Sequence, residues 1–308
     1  MTFFEELVAM LLFLFGLPGA VFSFPVMVLV IGVLTGNITR AIMIAAGILA
    51  SLAIVPVPFN PKSLSSWCAL QILRYFSFKA VFAENIPENK PHILVAPPHG
   101  VFPFGNVITM IAFPSLMGFS FRGLAASAAL RLPIFRQILC TIGAIDASRK
   151  SATKALNKNH TLGISTGGVA EVFETDSPSG DEVILLKSRK GIIKLAFRTG
   201  ASLVPCYLFG NTKLFSLWTG GSWHSSFKTW SRRLGFAMII FWGRFGLPIP
   251  YRIPIVGAMA KPIPVPLKEN PTEEEINAVH QQLIDAMQKL FDEHKGAYGW
   301  GDKKLIIQ

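Results

Sequence analysis

The apolar positions of the chain are concentrated near its start. Residues 7–39 contain no charged side chain, residues 41–61 contain none either, and a single arginine separates the two runs. A helix of about 20 apolar residues crosses a bilayer, so the first run is longer than one span needs. We therefore expect residues 1–61 to form a hydrophobic membrane-anchoring hairpin, transmembrane or re-entrant, that turns at Gly36-Asn37.

Prolines and glycines divide this hydrophobic part into shorter pieces. Pro18, Gly19 and Pro25 predict a short entry segment before the first helix of the hairpin, because proline interrupts helical hydrogen bonding. The acidic pair Glu5-Glu6 stands where a cleaved signal peptide would carry basic residues, so cleavage is not expected.

Beyond residue 61, short apolar runs typical of strands alternate with segments whose apolar residues recur at the spacing typical of helices. Strands are predicted at His92–Ala96, Thr161–Ser165, Ala201–Phe209 and Phe236–Trp242, and helices at Ser63–Phe82, Ser151–Asn159 and Arg189–Thr199. A last helix begins at the capping box of Thr272 and Glu275 and ends near Gly296. This alternation indicates an α/β fold with a largely parallel sheet over residues 62–308.

The composition narrows the class of protein. Hydrophobic residues make up 51% of the chain and charged residues only 15%, while 29 basic against 18 acidic residues give a net charge of +11. Such a chain is not disordered, and it is unlike an ordinary soluble enzyme. Its basic excess favours contact with a membrane or with anionic ligands. Three scattered cysteines predict no disulfide framework and no zinc site.

Two segments mix aromatic or apolar residues with basic ones. We interpret residues 62–82 as an interfacial helix or as a core helix with a basic rim, and residues 214–252 as an interfacial segment. The second contains Trp218, Trp223, Trp230, Trp242, Lys228, Arg232, Arg233, Arg244 and Arg252, with His224 as a polar surface residue. Beside two apolar runs, a membrane surface is favoured over nucleic acid as the partner of this segment.

His99 is the first candidate for chemistry. It follows an apolar strand through Pro97-Pro98 and precedes Gly100, which lets the backbone approach a substrate closely. Open α/β sheets bind ligands at the carboxyl ends of their strands, where an imidazole can act as a general base. A structural histidine is the alternative at this position.

A second candidate is the turn that contains Gly167, Gly168 and Glu171. Its main-chain N–H groups can face an oxyanion, and the carboxylate can orient an imidazole. The alternative is a plain strand-to-helix turn with a solvated glutamate.

Two basic clusters are candidates for binding phosphate groups. Arg149 and Lys150 follow Ser148, and Arg189 and Lys190 stand at the start of a predicted helix. Solvated surface charge is the alternative for both. The sequence contains no serine-hydrolase elbow, Walker motif, dinucleotide fingerprint or paired metal-ligand spacing, so no metal is expected.

Five blocks occur together in an order typical of one family. They are Pro97-Pro98-His99-Gly100, Gly167-Gly168-Val169-Ala170-Glu171, Arg189 through Pro205, Phe209-Gly210-Asn211 and Lys261 through Pro266. With the hairpin, they resemble the type-2 diacylglycerol acyltransferase family, which includes monoacylglycerol and wax-alcohol acyltransferases. The resemblance covers nearly the whole chain.

Three positions depart from this pattern. Pro97 replaces the first histidine of the family's His-Pro-His-Gly block, and Asn211 replaces the glutamate of its Phe-Gly-Glu block. Related glycerophosphate acyltransferases carry an aspartate five residues after the catalytic histidine, where this chain has Phe104. Glu171 is therefore the preferred acidic partner of His99.

The resemblance implies a glycerolipid-acyltransferase-like domain and a reaction. An acyl group would pass from acyl-CoA, a co-substrate and not a cofactor, to the hydroxyl of diacylglycerol. His99 would be the base and Glu171 its partner, with oxyanion donors near Gly100, Gly167 and Gly168, and Arg149, Arg189 and Lys190 would hold CoA phosphates. The location implied is the endoplasmic reticulum membrane, facing the cytosol, with membrane lipids as neighbours.

Several alternatives stay open. Monoacylglycerol, a fatty alcohol or a sterol could replace diacylglycerol as the acceptor, and a non-catalytic lipid-binding membrane protein could keep the same fold. A homo-oligomer is compatible with the sequence.

Overall fold

A computed structural model describes residues 1–84, 86–87, 90–118, 120–174, 179–218, 230–231 and 239–308. Three helices open the chain: α1 (Phe3–Phe15), α2 (Ser23–Thr35) and α3 (Ile38–Ile54). Helices α2 and α3 form a hairpin that turns at Gly36, whose φ of 64° is left-handed, and at Asn37, whose side chain caps α3. In the described part of the chain, no helix has both the length and the apolar character that crossing a membrane requires.

Helix α1 is the predicted entry segment, and it packs against the rest of the protein. Its Ala9 and Phe13 are buried in the core, and its first turn carries two acidic side chains that form ion pairs. Glu5 binds Arg74, while Glu6 binds Arg244 and Arg252.

A seven-stranded sheet forms the centre of the domain. Its strands are β1 (Lys79–Phe82), β2 (His92–Val95), β3 (Phe121–Ala125), β4 (Ala144–Asp146), β5 (Thr161–Ile164), β7 (Ser202–Phe209) and β10 (Val256–Met259). Their order is β1-β10-β7-β2-β5-β3-β4, and the five strands from β7 to β4 run parallel. Strands β2 and β7 are buried along their whole length, as expected for parallel strands covered on both faces.

Two small sheets accompany the central one. Strand β6 (Glu182–Ile184) pairs in parallel with the C-terminal strand β11 (Leu305–Ile307). Strands β8 (Ser216–Leu217) and β9 (Phe241–Trp242) form an antiparallel pair.

Helices cover both faces of the central sheet. They are α4 (Trp67–Tyr75), α5 (Phe104–Met117), α6 (Phe135–Thr141), α7 (Arg149–Leu156), α8 (Gly168–Val172), α9 (Gly191–Thr199) and α10 (Glu273–Tyr298). One hydrophobic core contains α1, α4 and α5, and the other contains α7, α9 and α10. The result is a three-layer α/β arrangement with the predicted, largely parallel sheet in the middle.

The helix predicted at Ser63–Phe82 is confirmed only over Trp67–Tyr75, and its last part is wrong. A short 3-10 turn at Pro61–Ser65 precedes α4, and the chain leaves the helical conformation at Ser77, whose φ is 44°. The following residues form strand β1, which hydrogen-bonds to β10. The other predicted elements are present, with ends that differ by a few residues; of the strand predicted at Phe236–Trp242, residues 236–238 lie outside the described ones.

The segment 214–252 is only partly described. Trp218, Trp230 and Trp242 are exposed, as an interfacial segment requires, while Trp223, His224, Lys228, Arg232 and Arg233 lie outside the described residues. Arg244 and Arg252 were expected at the interface, but both bind Glu6 of α1.

Candidate active site

The candidate residues meet at the carboxyl edge of the parallel strands. His99 follows β2, the Gly167-Gly168 turn follows the adjacent β5, and Asn211 follows β7 on the other side of β2. Because parallel strands end at the same edge of a sheet, these three loops lie side by side. This is the edge at which open α/β sheets bind their ligands.

The His99 side chain is poised to act as a base. Its Nδ1 lies 2.9 Å from the main-chain oxygen of Gly100. A carbonyl oxygen only accepts, so Nδ1 carries the proton of the neutral ring and Nε2 keeps its lone pair. Burial lowers the pKa of His99, and the bond to Gly100 offsets this only in part. The imidazole is therefore neutral at physiological pH.

Glu171 lies almost fully buried on α8, and its carboxylate holds two loops together. Its Oε2 accepts a hydrogen bond from the main-chain N–H of His99 at 2.5 Å, and its Oε1 accepts one from Leu185 at 2.9 Å. Burial raises the pKa of Glu171 to about 7, against the lowering effect of these bonds and of the Arg189 charge. We predicted that this carboxylate would bind the His99 imidazole. In the structure it binds the main-chain N–H of His99 instead.

Two glycines of the site are required by close contacts. Gly100 has a φ of 64°, and a Cβ there would lie 2.6 Å from the main-chain oxygen of Asn211. A Cβ on Gly167 would collide with the Glu171 side chain, which folds back over the turn. Gly168 also has a positive φ, of 52°. Of the glycines predicted as a substrate turn, Gly100 and Gly167 are thus required by close neighbours, while Gly168 has open space around it and is favoured by its positive φ.

Asn211 is a residue whose role the sequence did not reveal. Its buried amide nitrogen donates to the main-chain oxygens of Pro98 at 2.9 Å and His99 at 2.7 Å, and its Oδ1 accepts from Gly105 at 2.8 Å. Asn211 therefore holds both the loop of residues 97–100, called the His99 loop, and the start of α5. The available signal was its position just after a buried strand that neighbours β2.

Phe104, at the position of the acid in the related acyltransferases, belongs to the core. Only 1% of its surface is exposed, and its ring packs against those of Phe13, Phe76 and Phe102. No carboxylate can act from this position, which leaves Glu171 as the acidic group joined to the His99 loop.

The three basic residues predicted to bind phosphate lie at two places. Arg189 and Lys190 precede α9, and Arg189 Nη2 lies 3.4 Å from the main-chain oxygen of Gly167, beside the His99 loop. Arg149 begins α7 after β4, which lies two strands from β5. With strands about 4.8 Å apart, the end of β4, three residues before Arg149, lies about 10 Å from the end of β5.

Three buried polar atoms around the Gly167 turn lack a partner among the described residues. They are Ser165 Oγ, Thr166 Oγ1 and Arg189 Nε. Buried polar atoms are normally paired, so their concentration here indicates a place where a ligand or water supplies the missing bonds.

The whole domain matches a known family. The family model described as diacylglycerol acyltransferase matches residues 59–308. The chain belongs to the diacylglycerol acyltransferase family. It is an acyltransferase, and the resemblance read from the five sequence blocks is confirmed.

Members of this family from mammals align with most of the chain. Human 2-acylglycerol O-acyltransferase 3 is 34% identical over 247 residues, 74% of this chain and 72% of that protein. Human diacylglycerol O-acyltransferase 2 is 31% identical over 78% of this chain and 66% of its own length. Acyl-CoA wax alcohol acyltransferase 2 from Mus musculus is 31% identical over 76% of this chain and 74% of its own.

Among solved structures, the 1-acyl-sn-glycerophosphate acyltransferase PlsC from Thermotoga maritima aligns with a TM-score of 0.43 and 15% sequence identity. The alignment covers 75% of this chain and 79% of that chain. Within the described residues, no group of three or more histidine, cysteine or acidic side chains is arranged to hold a metal ion.

Proposed function

We propose that this acyltransferase moves a fatty acyl group from acyl-CoA to the free hydroxyl of diacylglycerol and so forms triacylglycerol. The observation that carries the proposal is the His99 loop, where a neutral imidazole with a free Nε2 lone pair is fixed at the carboxyl edge of the sheet. Diacylglycerol is an acceptor named for one set of relatives, while others are named for 2-acylglycerol or wax alcohols.

The reaction follows from the position of the imidazole. His99 Nε2 takes the proton of the acceptor hydroxyl as its oxygen attacks the thioester carbonyl carbon. A carbon–oxygen bond forms, the carbon–sulfur bond breaks, and the proton passes from Nε2 to the departing CoA thiolate. Main-chain N–H groups near Gly100, Gly167 and Gly168 stabilise the negative oxygen between these two steps. No metal, cofactor or covalent enzyme intermediate is needed.

The CoA phosphates would bind Arg149, Arg189 and Lys190. Arg189 already lies beside the Gly167 turn, and Arg149 lies farther along the same edge. An extended donor that begins at His99 and runs along this edge can therefore reach both positions.

The hairpin is proposed as the membrane anchor, in the endoplasmic reticulum with the catalytic domain facing the cytosol. Its side chains support a role as an anchor, because Leu29, Val33 and Leu34 of α2 and Met43 and Ile54 of α3 are more than half exposed. A large exposed apolar patch is typical of a membrane or protein contact, and we assign the hairpin to lipid.

The decisive experiment is an acyl-transfer assay on microsomes from cells that lack their own neutral-lipid synthesis. Labelled acyl-CoA is offered with diacylglycerol, monoacylglycerol, a fatty alcohol or a sterol, and the products are separated by thin-layer chromatography. We expect triacylglycerol from the parent protein and none from His99→Ala. Undiminished ester formation by His99→Ala would overturn the mechanism. If the parent protein forms a different ester, the acceptor of that ester replaces diacylglycerol in the proposal.

A further inference from the structure

A second group of basic side chains lies away from the His99 loop, along helix α7. Lys154 lies on α7 and Lys158 in the turn that follows it; both are exposed, and both line the same cavity. The opposite side of α7 is apolar and packs into the core through Ala152, Ala155 and Leu156. This leaves the two lysines at the rim of a cavity of about 200 Å³.

Two further basic residues complete the cavity. Arg122 comes from β3, and His160 comes from the residue before β5. We call these four residues, Arg122, Lys154, Lys158 and His160, the α7 basic cavity. Ser151 adds a hydroxyl group to its lining.

The charges of the α7 basic cavity repel one another. The pKa of His160 is lowered first by burial and then by the charges of Arg122 and Lys158, which shows that these groups are close enough to interact. The cavity lining contains no carboxylate, and none of the four residues takes part in an ion pair within the described part of the chain. Clustered like charges without a counterion cost folding free energy, which an anion would recover.

One buried polar atom of the α7 basic cavity, His160 Nδ1, also lacks a hydrogen-bond partner among the described residues. Arg122 is held in place by its bond to the oxygen of Phe121 at 2.9 Å and by the ring of Phe59, 3.9 Å from its guanidinium carbon. A fixed guanidinium group, two mobile ammonium groups and an imidazole are the donors that bind phosphate in proteins.

We propose that the α7 basic cavity binds a phosphate monoester. An open groove along α7 joins Lys154 and Lys158 to Arg149, at the carboxyl edge of the sheet. The phosphate can therefore belong to the nucleotide part of CoA or to the headgroup of a lipid. The site does not depend on the proposed transfer reaction, since its charges are in place without any substrate.

The test measures binding and not catalysis, so its failure is distinct from failure of the proposed reaction. Full-length protein in a non-ionic detergent is dialysed to equilibrium against radiolabelled inorganic phosphate. The double variant Lys154→Gln/Lys158→Gln is compared with Lys261→Gln/Lys289→Gln, which removes two exposed lysines elsewhere and lowers the net charge equally. Circular dichroism and the thermal midpoint check that each variant is folded.

We expect saturable binding by the parent and the control variant, and affinity about tenfold lower in Lys154→Gln/Lys158→Gln. Competition then identifies the source of the phosphate. Displacement by adenosine 3′,5′-bisphosphate indicates CoA, and displacement by phosphatidylcholine vesicles that contain phosphatidic acid indicates a lipid headgroup. No saturable binding, or equal loss in both double variants, overturns the proposal. Binding that neither competitor displaces marks an adventitious ion only and overturns it as well.

Discussion

At the scale of single residues, the protonation of Glu171 links the site to pH. Burial raises its pKa to about 7 in the folded protein, while an unfolded carboxyl group titrates near 4.5. Between these two values the folded protein holds a proton that the unfolded chain releases. The contribution of Glu171 to the free energy of unfolding therefore falls as pH rises through this window, by about 3 kcal/mol in total.

Glu171→Gln should remove this pH dependence. The glutamine cannot titrate, so the thermal midpoint of the variant relative to that of the parent should rise between pH 4.5 and 7, because only the parent loses the contribution of Glu171. The glutamine oxygen can accept only one of the two main-chain bonds well, so ester formation should also decrease. Thermal unfolding measured over a pH series checks the first point, and Glu269→Gln, at an exposed position, is the matched control. A difference between the midpoints of Glu171→Gln and the parent that does not change with pH would contradict the assignment.

Asn211 positions the His99 loop through donors that a carboxylate lacks. In Asn211→Asp an ionised side chain would face the oxygens of Pro98 and His99, so kcat should fall about a hundredfold while KM for acyl-CoA changes little. Lowering the pH should partly restore the activity relative to the parent, because a protonated aspartate can donate again. Steady-state kinetics over a pH series measures both effects.

The controls separate positioning from folding. Asn211→Ala should lose activity without recovery at low pH, and Asn277→Asp on the exposed side of α10 should behave as the parent does. An Asn211→Asp protein that is folded and fully active at neutral pH would show that these bonds do not position His99.

The sequence identified these residues, but it did not predict their hydrogen-bond partners. His99 was identifiable because it stands just after a strand and beside a glycine, and Glu171 because it lies three residues after the Gly167-Gly168 turn that follows a strand. The bond from Glu171 to the main chain of His99 joins residues 72 positions apart, and the contacts of Asn211 span 106 to 113 positions. Such pairings depend on the order of the strands, which no local pattern contains.

At the scale of elements, the strands that were predicted are the apolar runs bounded by turn residues. Strands β4 and β6 have only three residues each, too few to show a period. The helix predicted at Ser63–Phe82 was too long, because apolar residues continue from α4 into β1 and hide the boundary between them. What ends the helical part is the pairing of Lys79 with Val256, a long-range contact.

The C-terminal strand β11 and the following Gln308 hydrogen-bond to the segment that leads to Arg189. The main-chain oxygen of Gln308 accepts from Leu186 at 2.8 Å and Lys187 at 2.7 Å, and its N–H donates to Ile184 at 2.9 Å. The same segment supplies Leu185 to Glu171. The end of the chain is therefore connected to the active site through main-chain hydrogen bonds.

Removal of residues 305–308 should lower both the thermal midpoint and ester formation, the latter more than tenfold at temperatures where the shortened chain is folded. Ile306→Ala is the matched control, because its side chain points outward between the buried Leu305 and Ile307 and should cost less than about 0.5 kcal/mol. Circular dichroism and the acyl-transfer assay measure the two effects. Full activity of the folded, shortened protein would show that these hydrogen bonds are dispensable.

At the scale of the whole molecule, the α2–α3 hairpin differs from α1 in how it contacts the domain. The α2–α3 hairpin exposes its apolar side chains, whereas α1, which precedes it, is fixed to the domain by the ion pairs of Glu5 and Glu6. The hairpin therefore leaves the domain from a firmly attached base. If it is immersed in lipid, the position of the domain at the membrane is set by these contacts.

A charge on the hairpin should weaken membrane attachment where the same charge on the domain does not. Leu29 in the middle of α2 is 65% exposed and Leu267 on the domain is 73% exposed, so Leu29→Asp and Leu267→Asp change side chains of similar accessibility. A carboxylate in the hydrocarbon region costs about 2 to 3 kcal/mol, so Leu29→Asp should raise the ratio of released to bound protein at least about tenfold in a vesicle flotation assay. Leu267→Asp should float as the parent does. Equal release of both variants would place the hairpin outside the bilayer, because only immersion in lipid distinguishes two leucines of similar exposure.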